Sequence, residues 1–153
     1  MQTFNIVLIE PEIPPNTGNI ARLCAATAAT LHLVGKLGFS IDDRYLKRAG
    51  LDYWDKVKLY FHDSLEDLIA LYPDQKVYYC TTKAEKSYHK LNYQQGDIFI
   101  FGPESRGIPE DILGQNPEYC ITIPLHDEIR SINLCNSVAI ILYEGLRQID
   151  FNF

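Results

Sequence analysis

Phe4-Asn5-Ile6-Val7-Leu8-Ile9 leads through a proline-containing turn into Asn16-Thr17-Gly18-Asn19-Ile20-Ala21-Arg22-Leu23-Cys24, and Leu31-His32-Leu33-Val34 follows soon after. The first run is apolar in the manner of a strand buried on both faces. In the second, Ile20, Leu23, Cys24 and Thr27 recur at helical spacing in an alanine-rich stretch, which predicts a helix over 16–30. The third reads as a short strand ended by Gly35. Strand, helix and strand in this order form the unit from which parallel sheets are built.

The pattern continues along the chain. Asp42 to Ala49 reads as a helix stopped by Gly50, and Val57 to Phe61 as a strand. Ser64 with Asp67 resembles an N-cap with an acid at the third position, opening a helix through Tyr72 that Pro73 ends. Lys76 to Thr81 and Asp97 to Phe101 are strand-like, and Lys83 to Gln95 between them is the longest irregular segment. Pro109 to Gln115 predicts a short helix with proline at its start, and Tyr119 to Ile123 a strand. Leu134 to Ile149 predicts a final helix with Leu134, Val138, Ile141, Leu142 and Leu146 on its apolar face. Such alternation predicts an α/β fold, a mostly parallel sheet with helices on both faces, in one domain over 1–153.

The composition, 46% hydrophobic and 22% charged over 153 residues, is that of a globular domain with a real core. No apolar run is long enough to cross a membrane as a helix. Met1-Gln2-Thr3-Phe4-Asn5 shows no signal-type segment, so the expected location is the cytoplasm. Cys24, Cys80, Cys120 and Cys135 form no CxxC pair and are expected to be reduced and mostly buried. His32, His62, His89 and His126 are scattered, so no metal site is expected. The formal charge of −6 argues mildly against a large nucleic-acid footprint. Local basic groups remain available: Arg44, Lys47 and Arg48 in one stretch, and Arg22, Arg106 and Arg130 beside polar loops.

Those loops carry more polar groups than capping requires. Asn16-Thr17-Gly18-Asn19 opens the first helix, Phe101-Gly102-Pro103-Glu104-Ser105-Arg106-Gly107 follows a strand, and Arg130-Ser131-Ile132-Asn133-Leu134-Cys135-Asn136-Ser137 opens the last helix. A helix N-terminus uses one or two polar side chains; the surplus points to binding. The loops after Ile9, Thr81, Phe101 and Ile123 all leave the carboxyl ends of strands, where open parallel sheets hold ligands. GxxxxGK[ST], GxGxxG after a strand, and GxSxG are all absent, which removes the P-loop, dinucleotide and esterase readings. What remains is one carboxylate, arginines, amides, hydroxyls and glycine-bearing backbone, a set suited to positioning a polar ligand beside a second substrate.

Asn16 with Arg22 six residues on, then Phe101 to Gly107, then Ile123-Pro124 followed by Arg130-Ser131-Ile132-Asn133-Leu134, resemble the three motifs of the SpoU branch of the SPOUT RNA 2′-O-methyltransferases. Glu10-Pro11-Glu12-Ile13-Pro14, Leu37-Gly38-Phe39, Gly50-Leu51-Asp52-Tyr53 and Thr81-Thr82-Lys83 extend the likeness nearly end to end. The best match is the minimal, TrmL-like group, which modifies the wobble nucleotide of tRNA, cytidine or uridine 34. The resemblance implies an α/β knot with a C-terminal trefoil, S-adenosyl-L-methionine as methyl donor, a homodimer and a tRNA substrate. It implies Cys80, Gly102, Ile123 and Ser131 at the donor, and Arg22, Asn16, Glu104, Ser131 and Asn133 as catalytic residues, with Arg22 reaching the other subunit's site.

Because arginine is almost always protonated, Arg22 is read as orienting the ribose and an adjacent phosphate, with Asn16 and Glu104 aligning it. Simpler roles stand beside these: Arg22 as a surface charge, Asn16 as an N-cap, Gly102 and Gly107 as turn residues, Ser131 and Asn133 as caps. Relatives often carry serine at the position of Cys135 and leucine at that of Ile132. The chain stops soon after the last helix, which suggests no C-terminal RNA-binding tail. The last helix, with Val138, Leu142 and Tyr143, and the Asn16 helix are the expected dimer contacts. Alternatives are an rRNA substrate, a knotted RNA-binding module without catalysis, and a flavodoxin-like small-molecule domain.

Overall fold

The structure, a computed structural model, describes residues 2–42, 44, 48 and 53–153. In chain order these form β1 (Asn5–Ile9), α1 (Pro14–Thr27), β2 (Thr30–Val34), β3 (Lys58–His62), α2 (Leu65–Ala70) and β4 (Val77–Cys80). Then come β5 (Ile98–Phe101), α3 (Glu110–Gln115), β6 (Cys120–Ile121) and α4 (Leu134–Gln148). The strands make one six-stranded sheet in the order β3-β2-β1-β5-β4-β6. Every described pairing is parallel, with Asn5 opposite both Thr30 and Ile98. The expected sheet is thus borne out, and is parallel throughout the described residues.

Alternate residues of the central strands face opposite layers. Ile6, Leu8, Leu31, Leu33, Phe99 and Phe101 pack with Ile20, Ala21 and Cys24 of α1 and with Val138, Ile141, Leu142 and Leu146 of α4. Val7, Ile9, Val34, Ile98 and Ile100 pack with Leu68 of α2 and Leu113 of α3. Burial on both faces explains why β1 and β5 read as apolar runs and not as alternating ones. The chain runs outward from β1 through β2 to β3, crosses the sheet to β4, returns inward to β5 beside β1, and from β5 passes β4 to reach β6 at the far edge. The crevice between these two halves, beyond the ends of β1 and β5, is where open parallel sheets place a ligand. On α4, Gly145 lies over Phe4: a Cβ there would come 2.9 Å from Phe4 Cζ.

Element ends move in ways the sequence explains. α1 begins at Pro14, two residues before Asn16, because proline is at home in a first helical turn. It ends at Thr27, where Ala28 takes a left-handed conformation (φ 55°) and turns the chain into β2, so Thr30 belongs to a strand. β6 keeps only Cys120 and Ile121 of the expected 119–123 strand. Ser64 caps α2 by accepting from Asp67 N–H, as read. The irregular segment 83–95 is anchored to the edge of the sheet, Tyr88 N–H donating to Thr122 O and Thr122 N–H to Lys86 O. The Asp42–Ala49 helix and the Gly50-Leu51-Asp52 motif fall largely outside the described residues. Val138 and Leu142 are fully buried inside the subunit, so they are not contact residues for a second copy; Tyr143 is 46% exposed.

All four cysteines are free. His32 is buried on β2, its Nε2 2.9 Å from Asn5 Oδ1 and its Nδ1 2.9 Å from His62 Nε2. Because Asn5 Nδ2 donates to Gly96 O, Asn5 Oδ1 is the acceptor and His32 Nε2 carries the proton. His32 Nδ1 then accepts from His62 Nε2–H. Burial, with His62 beside it, lowers the His32 pKa to about 4.

Candidate active site

Beyond the carboxyl ends of β4, β5 and β6 lies a cavity of about 540 Å³. The chain segments after these strands and the segment leading into α4 form its wall, and Asn16 of α1 closes one side. Residues named from three separated stretches of sequence therefore meet in one place. Cys80, Gly102, Ile123, Ser131, Asn16, Glu104 and Asn133 all line it. Arg22 does not.

The Gly102 loop folds back on itself. Pro103 O accepts from Gly107 N–H at 2.8 Å, and Gly107 has φ +71°. A Cβ at Gly102 would sit 2.1 Å from Gly107 C and 2.2 Å from Ile108 N. No side chain fits there without opening the loop. Gly102 is thus required by backbone meeting backbone.

Asn16 is the hub of the site. It is the third residue of α1 and only 7% exposed; the cap position belongs to Ile13, which makes no side-chain cap. Glu104 supplies what is missing at this helix end from across the chain. Its carboxylate accepts from Glu12 N–H at 3.0 Å, from Ile13 N–H at 2.6 Å and from Asn16 Nδ2 at 3.4 Å. Asn16 Oδ1 accepts from Asn133 Nδ2 at 3.2 Å and from the Cys135 thiol at 3.4 Å. These contacts fix which end of the amide is oxygen. One N–H of Asn16 is used on Glu104. Asn133 also caps α4, accepting from Cys135 N–H at 2.7 Å. Burial and then the Glu104 charge push the Cys135 thiol up to about 11, so it remains a protonated donor. Burial likewise raises Cys80 well above the usual thiol range.

A second pair mirrors the first. Glu12 accepts from Ser105 N–H at 2.9 Å and from Ser105 Oγ at 2.7 Å. These bonds hold the Glu12 carboxyl below its usual pKa. Together Glu104 and Glu12 form a reciprocal clasp between the loop after β1 and the loop after β5. At the rim, Lys83 pairs with Glu110 at 2.6 Å, and Arg106 lies 3.8 Å from Glu10. Ser131 is exposed on the cavity wall, and the cap of α4 is Asn133.

Arg22 lies six residues past Asn16, which places it about 240° around the helix. It is exposed, with its guanidinium carbon 4.8 Å from the centroid of the Tyr53 ring. Glu12, Cys135, Lys83 and Tyr53 all lie in stretches singled out in the sequence, but none was given a role there. Ser105 and Glu12 are 93 residues apart, and no local pattern announces such a contact.

A parallel α/β sheet with a three-loop cavity at its carboxyl edge, organised by a glutamate–asparagine–asparagine network centred on Asn16, defines a class of ligand-binding α/β enzymes. The chain belongs to the SpoU methylase family: the family model described as SpoU rRNA Methylase matches residues 3–143. A tRNA (cytidine(34)-2′-O)-methyltransferase of Methylovorus glucosotrophus (strain SIP3-4) is 49% identical over 149 residues, covering 97% of each chain. The enzyme of that name from Escherichia coli (strain K12) is 45% identical over 149 residues, covering 97% of this chain and 95% of its own. A solved structure concerned with the 2-OH methylation of C/U34 on tRNA superposes with a TM-score of 0.91 at 42% identity, covering 96% of each chain.

Proposed function

We propose that this chain transfers the methyl group of S-adenosyl-L-methionine to the ribose 2′-hydroxyl of the wobble nucleotide of a tRNA, cytidine or uridine 34. The observation that carries this reading is the convergence on one cavity of all the site residues but Arg22, in a chain nearly half identical to enzymes named for that reaction. The domain assignment, 1–153 as one catalytic unit, belongs to the same reading, as do the cytoplasmic location and the C-terminal knot implied by the resemblance.

The cavity suits the donor. Its volume of about 540 Å³ lies in the range of nucleoside-sized sites. Its wall mixes apolar side chains such as Ile108, Ile121 and Leu134 with backbone exposed by glycine and loop residues. That is the surface an adenosine with a methionine tail requires. S-adenosylmethionine would supply a methyl group on a cationic sulfonium: the ribose 2′-oxygen gains the O–CH3 bond, the sulfur leaves with the bonding pair as a neutral thioether, and the 2′-hydroxyl proton passes to solvent.

The protein's own part is alignment. Gly102, Ile123 and Cys80 present the wall against which the donor lies, and Ser131 offers a hydroxyl. Asn16, held by Glu104, Asn133 and Cys135, has a second N–H to offer the substrate. Arg22, which its own chain keeps off the cavity, acts from a second copy, orienting the ribose and the adjacent phosphate. A homodimer follows from this reading, with α1 and the exposed Tyr143 side of α4 at the contact.

The test is methylation of unmodified tRNA transcripts by the purified chain with labelled donor, followed by nuclease digestion and mass spectrometry. Label confined to 2′-O-methylcytidine or 2′-O-methyluridine at nucleotide 34 is the expected result. Label in ribosomal RNA alone, or donor binding with no transfer to any RNA, would overturn it.

A further inference from the structure

The contact between Arg22 and Tyr53 carries an inference about how the catalytic arginine is held. Tyr53 stands immediately before the 3-10 turn Trp54–Lys56, which packs against α1. Arg22 projects from α1 with its guanidinium carbon 4.8 Å from the Tyr53 centroid, within cation–π range. Lys56 Nζ lies 6.0 Å from the same centroid. The ring is half-buried while Arg22 is exposed, so the ring is the fixed partner and the guanidinium the held one.

A carboxylate that steadies a surface arginine uses its N–H donors and offsets its charge. A ring steadies the guanidinium through its flat face and uses neither. Among the described residues, no hydrogen bond or ion pair takes up the Arg22 donors. The stacked arrangement therefore keeps the planar fork intact for a group outside the subunit. A free arginine samples many rotamers, and ordering them at the moment of reaction costs entropy. Holding the group beforehand removes part of that cost from the transfer step.

We propose that Tyr53 is a positioning residue for Arg22, presenting its guanidinium toward the ribose and phosphate of RNA bound at the other subunit's cavity. This rests on the role of Arg22 given above. The proposal requires the face of an aromatic ring and makes no use of the Tyr53 hydroxyl.

The test compares Tyr53→Leu, Tyr53→Gln, Tyr53→Phe and Arg22→Ala in the full chain, with S-adenosylmethionine and a tRNA transcript. Four quantities are read: kcat, KM for tRNA, donor affinity by titration calorimetry, and the ring-current shift of the Arg22 δ-protons. Tyr53→Leu and Tyr53→Gln should lower kcat about three- to tenfold. Donor affinity should not change, and the upfield shift of the Arg22 protons should disappear. Tyr53→Phe should restore both rate and shift. Full kcat in folded Tyr53→Leu or Tyr53→Gln, with Arg22→Ala inactive, overturns this proposal and leaves the proposed function standing. A Tyr53→Phe chain as slow as Tyr53→Leu overturns it equally, since the hydroxyl would then be what matters. Undiminished turnover in Arg22→Ala would instead remove the reading of Arg22 on which it stands.

Discussion

Gly102 shows how little tolerance the site has at the level of one residue. Since a single Cβ would meet Gly107 and Ile108 backbone at 2.1–2.2 Å, Gly102→Ala alone should open the loop. Titration of S-adenosylmethionine should show binding largely lost in this variant, and Gly102→Val should do no better. Arg22→Ala should do the reverse, keeping donor affinity while losing nearly all turnover, as expected of a contact made mainly in the transition state. His32 makes a prediction of another kind. Its folded pKa of about 4 lies below the usual value for imidazole, so the unfolded chain binds a proton that the folded one refuses. Stability should therefore fall as pH drops from about 6.5 toward 4, by up to about 3 kcal/mol from this group. Urea unfolding over that range checks it, and His32→Gln should remove this share of the slope. Individual residues were unevenly legible. Asn16, Glu104 and Asn133 stood out because polar groups exceeded what helix ends need. Cys135 and Glu12 did not: one looked like an ordinary buried thiol, and the other's partner is 93 residues away.

Elements were easier to read than their ends. The apolar runs of β1 and β5 and the helical spacing in α1 and α4 depend on burial patterns that the residues carry locally. The start of α1 was misplaced because its cap is not local. Asn16, an apparent cap by its residue type, lies inside the helix, and Glu104 receives the backbone donors of Glu12 and Ile13 instead. Glu104→Ala should thus leave these donors without their acceptor, with a loss of about 1–3 kcal/mol in chemical unfolding. Gly145 makes a second test at this scale. Alanine is ordinarily the better helix former, yet its methyl would meet the buried Phe4 ring at 2.9 Å. Gly145→Ala should destabilise the fold by about 1–3 kcal/mol, and its unfolding midpoint measures the balance.

The whole molecule explains why the most specific prediction needs two chains. Within one subunit Arg22 and the cavity are separate, and no reading of one sequence distance brings them together. Mixing inactive Arg22→Ala subunits with inactive Gly102→Val subunits should restore activity in the mixed dimers, since each contains one intact pocket and one intact Arg22. Stable mixed dimers without activity would show that each subunit works alone. The alternation of strands and helices made the sheet legible. The strand order, with β5 between β1 and β4, was not, because it depends on long-range pairings such as Asn5 with Ile98.

The reciprocal clasp of Glu104 and Glu12 has a thermodynamic corollary. The loop after β5 forms a wall of the cavity proposed to hold the donor, and the same loop grips the end of the helix that bears Arg22. Two ligands that each shift the balance between arrangements of this shared piece are coupled through it. If bound donor tightens the hold on tRNA by some factor, bound tRNA must tighten the hold on donor by the same factor. Ser105→Ala, which removes one strand of the grip without touching either ligand's charge, should bring both factors toward unity together.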